Sequence, residues 1–523
     1  MISVIIPLSF KTSRMVKKNM TIFTFPKMIR IVLLSCLFAG SLWSQTTGKI
    51  SGTIKDADND EVLPGANIMI EGSNYGAAAD IDGRFYILNI SPGYYNLRID
   101  MIGYTSVRLE DVLVSVNRTT PVDVSMSAAI IEGSVVVVEV ARLAVKKDQT
   151  GTIKNVSSEQ IAQLPVESID AVVNMQAGVV EGHFRGGRST EVSYMVDGVQ
   201  VDEAYGGSHS AVEIEPESIA DLEVITGTFN AEYGKAMSGI VNAVTKDGSS
   251  EFEGSFGVGM GNYYLNPNDT IFIGLDPSEF NRNQDYKFQL SGPVIGDKVT
   301  FFFNTRFEDN KNHLSGIRRF NVDDWSSFYG EESEWFSMAT GDSAYVPMNS
   351  SKNQSILGKL TFKLPMGARL SALYSQNIDT WNSYIHGFKY NPDGRASDHR
   401  QTDFYVLTLN HLLGNSLFYE LKLSRLENYA GQYVFKNPLD SNYVHDRYLE
   451  GFGPGFLTGG QSKGHGERWT VDDGAKLDVT WQANSRHSIK TGVHYLVHDI
   501  LQEGYEIRNK YAGTALEGLF YEP

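Results

Sequence analysis

The chain has 523 residues and a net charge of −17, with 45 Lys and Arg against 62 Asp and Glu. That balance excludes a nucleic-acid partner, because binding phosphate takes a basic surface. The length accommodates several domains, and 50 Gly beside 26 Tyr and 27 Phe point to β-structure rich in turns.

In chain order, the apolar run Ile31 to Leu42 follows Lys27 and Arg30 and ends in small residues. This is the pattern of a secretory signal, so residues 1–44 are expected to be a signal peptide cut near Ser44. The start is expected at Met15, Met20 or Met28. The single cysteine, Cys36, falls in the signal's apolar core, which leaves a mature chain without cysteine. Beyond residue 45 no apolar run reaches roughly 18 residues, so any insertion into a membrane has to use strands.

Residues 46–127 read as a small β-sandwich. Ile50, Gly52 and Ile54 alternate with polar residues, as do Ala66, Ile68 and Ile70, then Tyr95, Leu97, Ile99 and Met101, then Val122, Val124 and Met126. Pro64-Gly65, Asp82-Gly83 and Pro92-Gly93 mark turns, which gives about seven short strands. The ordered strings LPGANI, DIDGRF, SPGYY and IGY resemble the carboxypeptidase-regulatory-like domain. A zinc peptidase site needs a His-x-x-Glu pair, and none of the 11 histidines has Glu three residues later. No catalytic residue, metal ligand set or cofactor is therefore expected, and the chain reads as no enzyme. Asp56, Asp58 and Asp60 read as a solvated loop, since their spacing completes no oxygen cage for calcium.

Next comes Ser134 to Ala141, with Val135, Val136, Val137, Val138, Glu139 and Val140 forming a very strong β-former. Two readings apply: one more buried strand of the sandwich, or an exposed segment that adds as a strand to a partner's sheet. Its place between two compact units favours the second. It resembles the TonB box of TonB-dependent receptors.

Residues 150–248 change pattern. Ser157 to Gln160 can cap a short helix, and Val166 to Met175 has helical spacing. Glu191 to Val201 reads as a hairpin turning at Asp197-Gly198, with further strands at Ile219 to Ile225 and Gly239 to Thr245. The strings FRGGRSTEVSYMVDGVQV and IADLEVITGTFNAEYGKAMSGIVNAVTKDG resemble the TonB-dependent receptor plug, an α+β domain. The match rests on Arg185, Gly186, Asp197, Gly198, Glu223, Gly227, Tyr233, Gly234 and Gly239. Two departures stand out: Ala177 where many members have Pro, and Thr226 where many have Arg before the glycine. The second leaves Arg185 without the usual companion arginine for locking plug to barrel. A lone Arg185-Gly186-Gly187-Arg188 between strands of an acidic exported protein does not read as an RNA-binding element.

From 251 to 523 period-2 alternation becomes regular. Val299, Phe301, Phe303 and Phe307 share one face, and Thr300, Phe302, Asn304, Arg306 and Glu308 the other. Leu417 to Ser424 and Ile489 to Val497 repeat the pattern. Short turns at Val294 to Asp297, Pro365 to Ala368, Gly414-Asn415 and Gln482 to Ser485 alternate with long connections at Asn266 to Gln284, Lys311 to Lys352, Asp379 to Thr402 and Ala430 to Glu467. Loops sorted by parity are the mark of a transmembrane barrel. The fold class expected is mainly β: a seven-stranded sandwich, an α+β plug, and about nine strands of an incomplete antiparallel barrel. The last strand runs outward and the chain stops at Pro523, so a truncated product or fragment is expected.

The resemblance implies active transport of a scarce ligand across the outer membrane of a Gram-negative bacterium. The partners it implies are TonB with its inner-membrane energising complex, outer-membrane lipid, and a small ligand such as a siderophore, cobalamin, glycan or peptide. The sandwich and the valine-rich segment would be periplasmic. The rival reading is a non-transporting adhesin or scaffold. Trp325, Trp335 and Trp381 fall in outer loops, as ligand-stacking rings or, more commonly, interfacial anchors.

Overall fold

The computed structural model describes residues 46–523 apart from 74, 129–134, 140–151, 204–209, 228, 230–232, 235, 264–271, 415, 450–454 and 485–486, with 135–139 described in backbone only. The expected signal peptide and Cys36 lie outside these residues. Among the described residues no helix is long and apolar enough to cross a membrane.

The first unit packs two sheets. Its strands are β1 (Gly48–Asp56), β2 (Asn67–Ile70), β3 (Gly76–Ala78), β4 (Arg84–Ile90), β5 (Gly93–Asp100), β6 (Ser106–Val114), β7 (Thr119–Pro121), β8 (Val124–Met126) and β9 (Val135–Glu139). One sheet runs β4-β1-β7 with β8 also on β1, and the other β3-β2-β5-β6-β9. β7 and β8 pair with successive stretches of β1, Lys49 to Ser51 and Ile54 to Asp56, so they act as one interrupted strand. Counted so, the sandwich has the expected seven strands, with β9 added on the edge. The alternating residues make its core: Ile50, Ile54, Ile68, Leu97 and Ile99 are wholly buried. Each such side chain contributes about 1.5–3 kcal/mol.

The second unit contains β10 (Ile153–Ser157), α1 (Ser158–Ala162), α2 (Ile169–Asn174), β11 (Val179–Val180), β12 (His183–Phe184), β13 (Val192–Val196), β14 (Val199–Gln200), β15 (Ile219–Thr226) and β16 (Gly239–Thr245). Its main sheet runs β10-β15-β16-β13-β14. Ser157 caps α1 through the capping box with Gln160 anticipated from the sequence. α2 starts later than its apolar spacing suggested, because Ser168 takes the N-cap and accepts from Ala171 N at 3.2 Å.

The third unit is one antiparallel sheet of nine strands: β17 (Glu253–Gly261), β18 (Asn283–Ile295), β19 (Val299–Asn310), β24 (Ser351–Lys363), β25 (Ala368–Trp381), β26 (Ser397–Leu413), β27 (Leu417–Tyr433), β28 (Gly464–Gln482) and β29 (Ser488–Glu506). Between β19 and β24 lie four short loop strands, β20 (Ser315–Ile317), β21 (Ser326–Ser327), β22 (Phe336–Ser337) and β23 (Tyr345–Pro347). The sheet is open: β17 and β29 each pair on one side only. Its outer face shows Leu360, Tyr405, Leu407, Trp481, Tyr495 and Val497, all at least 43% exposed. Its inner face buries Asn304, Thr402, Asn410, Glu420 and Lys422.

The strands run further than the alternation indicated. β26 begins at Ser397, β27 ends at Tyr433 and β28 begins at Gly464, so the outer loops are shorter than expected. Beyond the apolar band the outward positions turn polar, as at His399, Gln401 and Asp403, and the period-2 signal fades while the backbone ladder continues.

Gly52 sits where a Cβ would lie 1.6 Å from the Val122 carbonyl oxygen. Gly52→Ala is expected to push β1 from β8's lead-in and cost about 1–3 kcal/mol. Scanning calorimetry should report this as a lowered unfolding temperature for the sandwich, with the nine-stranded sheet unchanged.

Candidate functional site

The middle unit lies against the inner face of the nine-stranded sheet. Phe302, Leu357, Leu373, Phe404, Val406 and Leu426 of the wall join its apolar core. Ion pairs add to this contact. Glu217 meets Lys287 at 3.0 Å, Glu215 and Glu167 both meet Arg306 at 3.3 Å, Glu213 meets Arg400 at 3.4 Å and Glu203 meets Arg468 at 3.6 Å. In every one of these pairs the carboxylate belongs to the middle unit and the cation to the wall.

The tightest cluster centres on Lys359 of β24. Its ammonium lies 3.2 Å from Asp197 and 3.0 Å from Asp247, and donates to Thr245 Oγ1 at 3.0 Å. Asp197 and Gly198 both have positive φ, 48° and 70°, as the tight β13–β14 turn demands. The Asp197 carboxylate accepts from Thr245 N and Oγ1, both at 2.8 Å, and Lys476 Nζ donates to the Gly198 carbonyl at 3.3 Å. Asp247 also meets Arg369 of β25 at 3.2 Å. Burial favours the protonated form of Asp247, but Lys359 and Arg369 outweigh it and hold the carboxyl well below the usual range. For Glu213 and Glu215 burial wins and pushes both carboxyls up, with Arg400 and Arg306 opposing. A cavity of about 1040 Å³ opens beside Lys359, Arg369 and Asp247 and reaches the sandwich at Ser91.

Arg185 does not reach the wall. It adopts φ 48°, and its guanidinium donates to Thr152 Oγ1 at 2.6 Å. It also covers Gly227, where a Cβ would stand 2.8 Å from Nη1, so the motif glycine makes room for the motif arginine. Gly186 turns the chain at φ 79°. Gly239 accommodates the Phe184 ring, which a Cβ there would approach to 2.2 Å. Gly234 has open space around it.

Glu223 and Tyr233 face the sandwich. Asn117, in the turn after β6, donates to Glu223 Oε2 at 3.3 Å and to Tyr233 OH at 3.1 Å. Beside it Val116 N donates to Asp221 Oδ2 at 2.8 Å and Arg118 Nη2 to the Ile153 carbonyl at 2.7 Å. The sandwich also touches the wall, through Thr46 to Glu420 at 2.7 Å and Lys49 to Gln482 at 3.4 Å. Ser91 joins the Asp247–Arg369 pair, donating to Asp247 at 3.2 Å. The motif signal found Asp197, Glu223 and Tyr233. It missed Asp221, Asp247, Lys359, Arg369 and Asn117, the last of which turns the chain at φ 55°.

Of the valine-rich segment, Val135–Glu139 forms β9, parallel to β6 with Ser106 opposite Val135 and Glu110 opposite Glu139. Val140 lies outside the described residues. β9 is the last strand of its sheet, so one row of its backbone groups has no strand partner among the described residues. The edge pairing combines features of both sequence readings.

Residues 50–138 match the family model of the CarboxypepD_reg-like domain, and residues 145–241 match that of the TonB-dependent Receptor Plug Domain. The TonB-dependent transporter Oar of Myxococcus xanthus is 25% identical over 366 residues, 64% of this chain and 34% of that protein. The ferrienterobactin receptor of Escherichia coli is 34% identical over 89 residues, 17% of this chain and 10% of that protein. The chain thus spans about a third or less of the length of these relatives. Among solved structures, the outer membrane transporter YddB of Escherichia coli aligns with a TM-score of 0.47 at 13% identity, over 67% of this chain and 48% of that one.

Removing the Lys359 charge would leave Asp197 and Asp247 buried without their shared cation. Lys359→Met is expected to loosen the middle unit by about 3–5 kcal/mol, read as faster amide exchange in Val192–Val196. Because the folded-state pKa of Asp247 is depressed, its contribution is present above the ordinary carboxylate range and lost as pH falls below it. Exchange protection of Thr245 should therefore hold from neutral pH down to about 4 and fall in stronger acid. The chain thus carries a CarboxypepD_reg-like domain followed by a TonB-dependent Receptor Plug Domain.

Proposed function

We propose that this chain provides the gating and coupling parts of an energy-coupled importer that takes a scarce ligand across the outer membrane. The observation that carries the reading is a plug held against a strand wall by ion pairs of one polarity. Such contacts fix a position firmly yet supply little net adhesion, because desolvation offsets most of the attraction. Displacing the plug then has to open the apolar contact with Phe302, Leu357, Leu373, Phe404, Val406 and Leu426 as well as exchange these ion pairs for water.

In this reading the sandwich and the valine-rich segment are periplasmic. TonB, driven by its inner-membrane complex, pairs with Val135 to Val140 by strand addition and pulls. The plug then rearranges and the ligand passes along the wall. The ligand is a small scarce molecule such as a siderophore, cobalamin, a glycan or a peptide, chosen by the outer loops. A scaffold or adhesin would have no use for a plug held by breakable charge contacts.

Deleting Ser134 to Ala141 from the protein in its natural host is expected to abolish accumulation of the ligand inside the cell. Surface binding, measured on the same cells without energy, should stay at its normal level. Accumulation that survives the deletion would sink the coupling assignment.

A further inference from the structure

We infer that the pull on the coupling strand reaches the plug through the sandwich, and not through the connecting residues 140–151. This rests on reading Val135–Glu139 as the coupling strand.

β9 need not leave its sheet to be seized. Its inner edge is paired to β6 over five residues, Ser106↔Val135 to Glu110↔Glu139, and its outer edge is the sheet's last. An extended partner strand can add to that edge with β9 already ordered, which spares the entropy of fixing a loose peptide. The partner's backbone then continues the sandwich sheet.

Load on β9 passes sideways into β6. The two strands are parallel and in simple register, so a pull along them shears all the ladder bonds together instead of peeling them singly. β6 runs from Ser106 to Val114 with one bulge at Asp111, where φ is 57°. Immediately after it comes the turn that grips the plug: Val116 N on Asp221, Asn117 on Glu223 and Tyr233, and Arg118 on the Ile153 carbonyl. Asp221 and Glu223 both lie on β15, and Asp221 sits opposite Val244 of β16. One residue further is Thr245, the partner of Asp197 and Lys359. The line β9, β6, Asn117 turn, β15, β16 thus ends at the lock itself. The same body holds a second tie there, because Ser91 bonds the Asp247–Arg369 pair. Displacing the sandwich therefore acts on two sides of the lock at once.

Force spectroscopy on the full-length protein in a supported bilayer tests this. The handle is attached at Ser134→Cys, in a Cys36→Ser background. The probe variant inserts twelve Gly and Ser residues between Lys146 and Lys147, which adds up to about 43 Å of slack if that connection carries the load. The extension at the first plug rupture is expected to be unchanged by the insertion. In the Asn117→Gly, Arg118→Ala double variant the first rupture force should fall, and the insertion should now add its slack. Glycine tolerates the positive φ of Asn117, so the turn itself should survive. Slack appearing in the otherwise natural protein, whether by direct loading of the connection or by β9 tearing off β6 first, would overturn the proposal. These outcomes are separate from the deletion of Ser134 to Ala141, which tests whether the segment is the coupling strand at all.

Discussion

The outer face of the nine-stranded wall is apolar, and its backbone is laddered on both sides from β18 to β28. Pleating sends alternate side chains to the opposite side, and that side is therefore free to be polar. The plug meets Lys287, Arg306, Lys359, Arg369, Arg400 and Arg468 there, and it answers with carboxylates. The apolar contacts, Phe302, Leu357, Leu373, Phe404, Val406 and Leu426, run across five neighbouring strands, β19 to β27. Directional charge contact therefore adds to the apolar contact in fixing the plug's position. A buried ion pair is costly to break singly yet contributes little when intact compared with an apolar replacement. That combination suits the role proposed above for the plug.

The Arg185 guanidinium is used within the plug, binding Thr152 over Gly227. Thr226 takes the place where many relatives carry a second arginine. In the ion pairs between plug and wall the acid is on the plug and the base is on the wall. Asp197, a turn residue by its backbone, becomes a locking residue by its side chain.

Much of this architecture was legible in the sequence. Alternation located the strands, Asp197-Gly198 located the hairpin, and Ser157 with Gln160 located the first helix. Those signals are local, set by residues two to four apart. The lock was not legible because its members are remote: Lys359 and Thr245 are 114 residues apart, and Thr46 and Glu420 are 374 apart. Nothing in a polar inward position of a strand tells which plug residue it will face. The outer strand ends were misplaced for a different reason, since above the apolar band both faces are polar and hydrophobicity carries no phase. The valine-rich segment was ambiguous because an edge strand of one sheet and a template for another present the same residues.

β15 shows how one strand serves two neighbours. Leu222 and Val224 point into the plug core and are fully buried, while Asp221 and Glu223 point the other way, into the sandwich turn. A strand placed between two apolar layers would be hydrophobic throughout; this one carries two buried carboxylates because the layer beneath it is a polar joint. Removing those carboxylates from water is unfavourable unless donors are supplied, and the donors come from Asn117, the Val116 backbone and Asn155. The sandwich, through Val116 and Asn117, therefore helps to keep β15 satisfied. Moving it away exposes Asp221 and Glu223 to water and weakens the reason for β15 to stay where it is. A domain that looks like an appendage in the sequence thereby becomes part of the condition for the plug being closed.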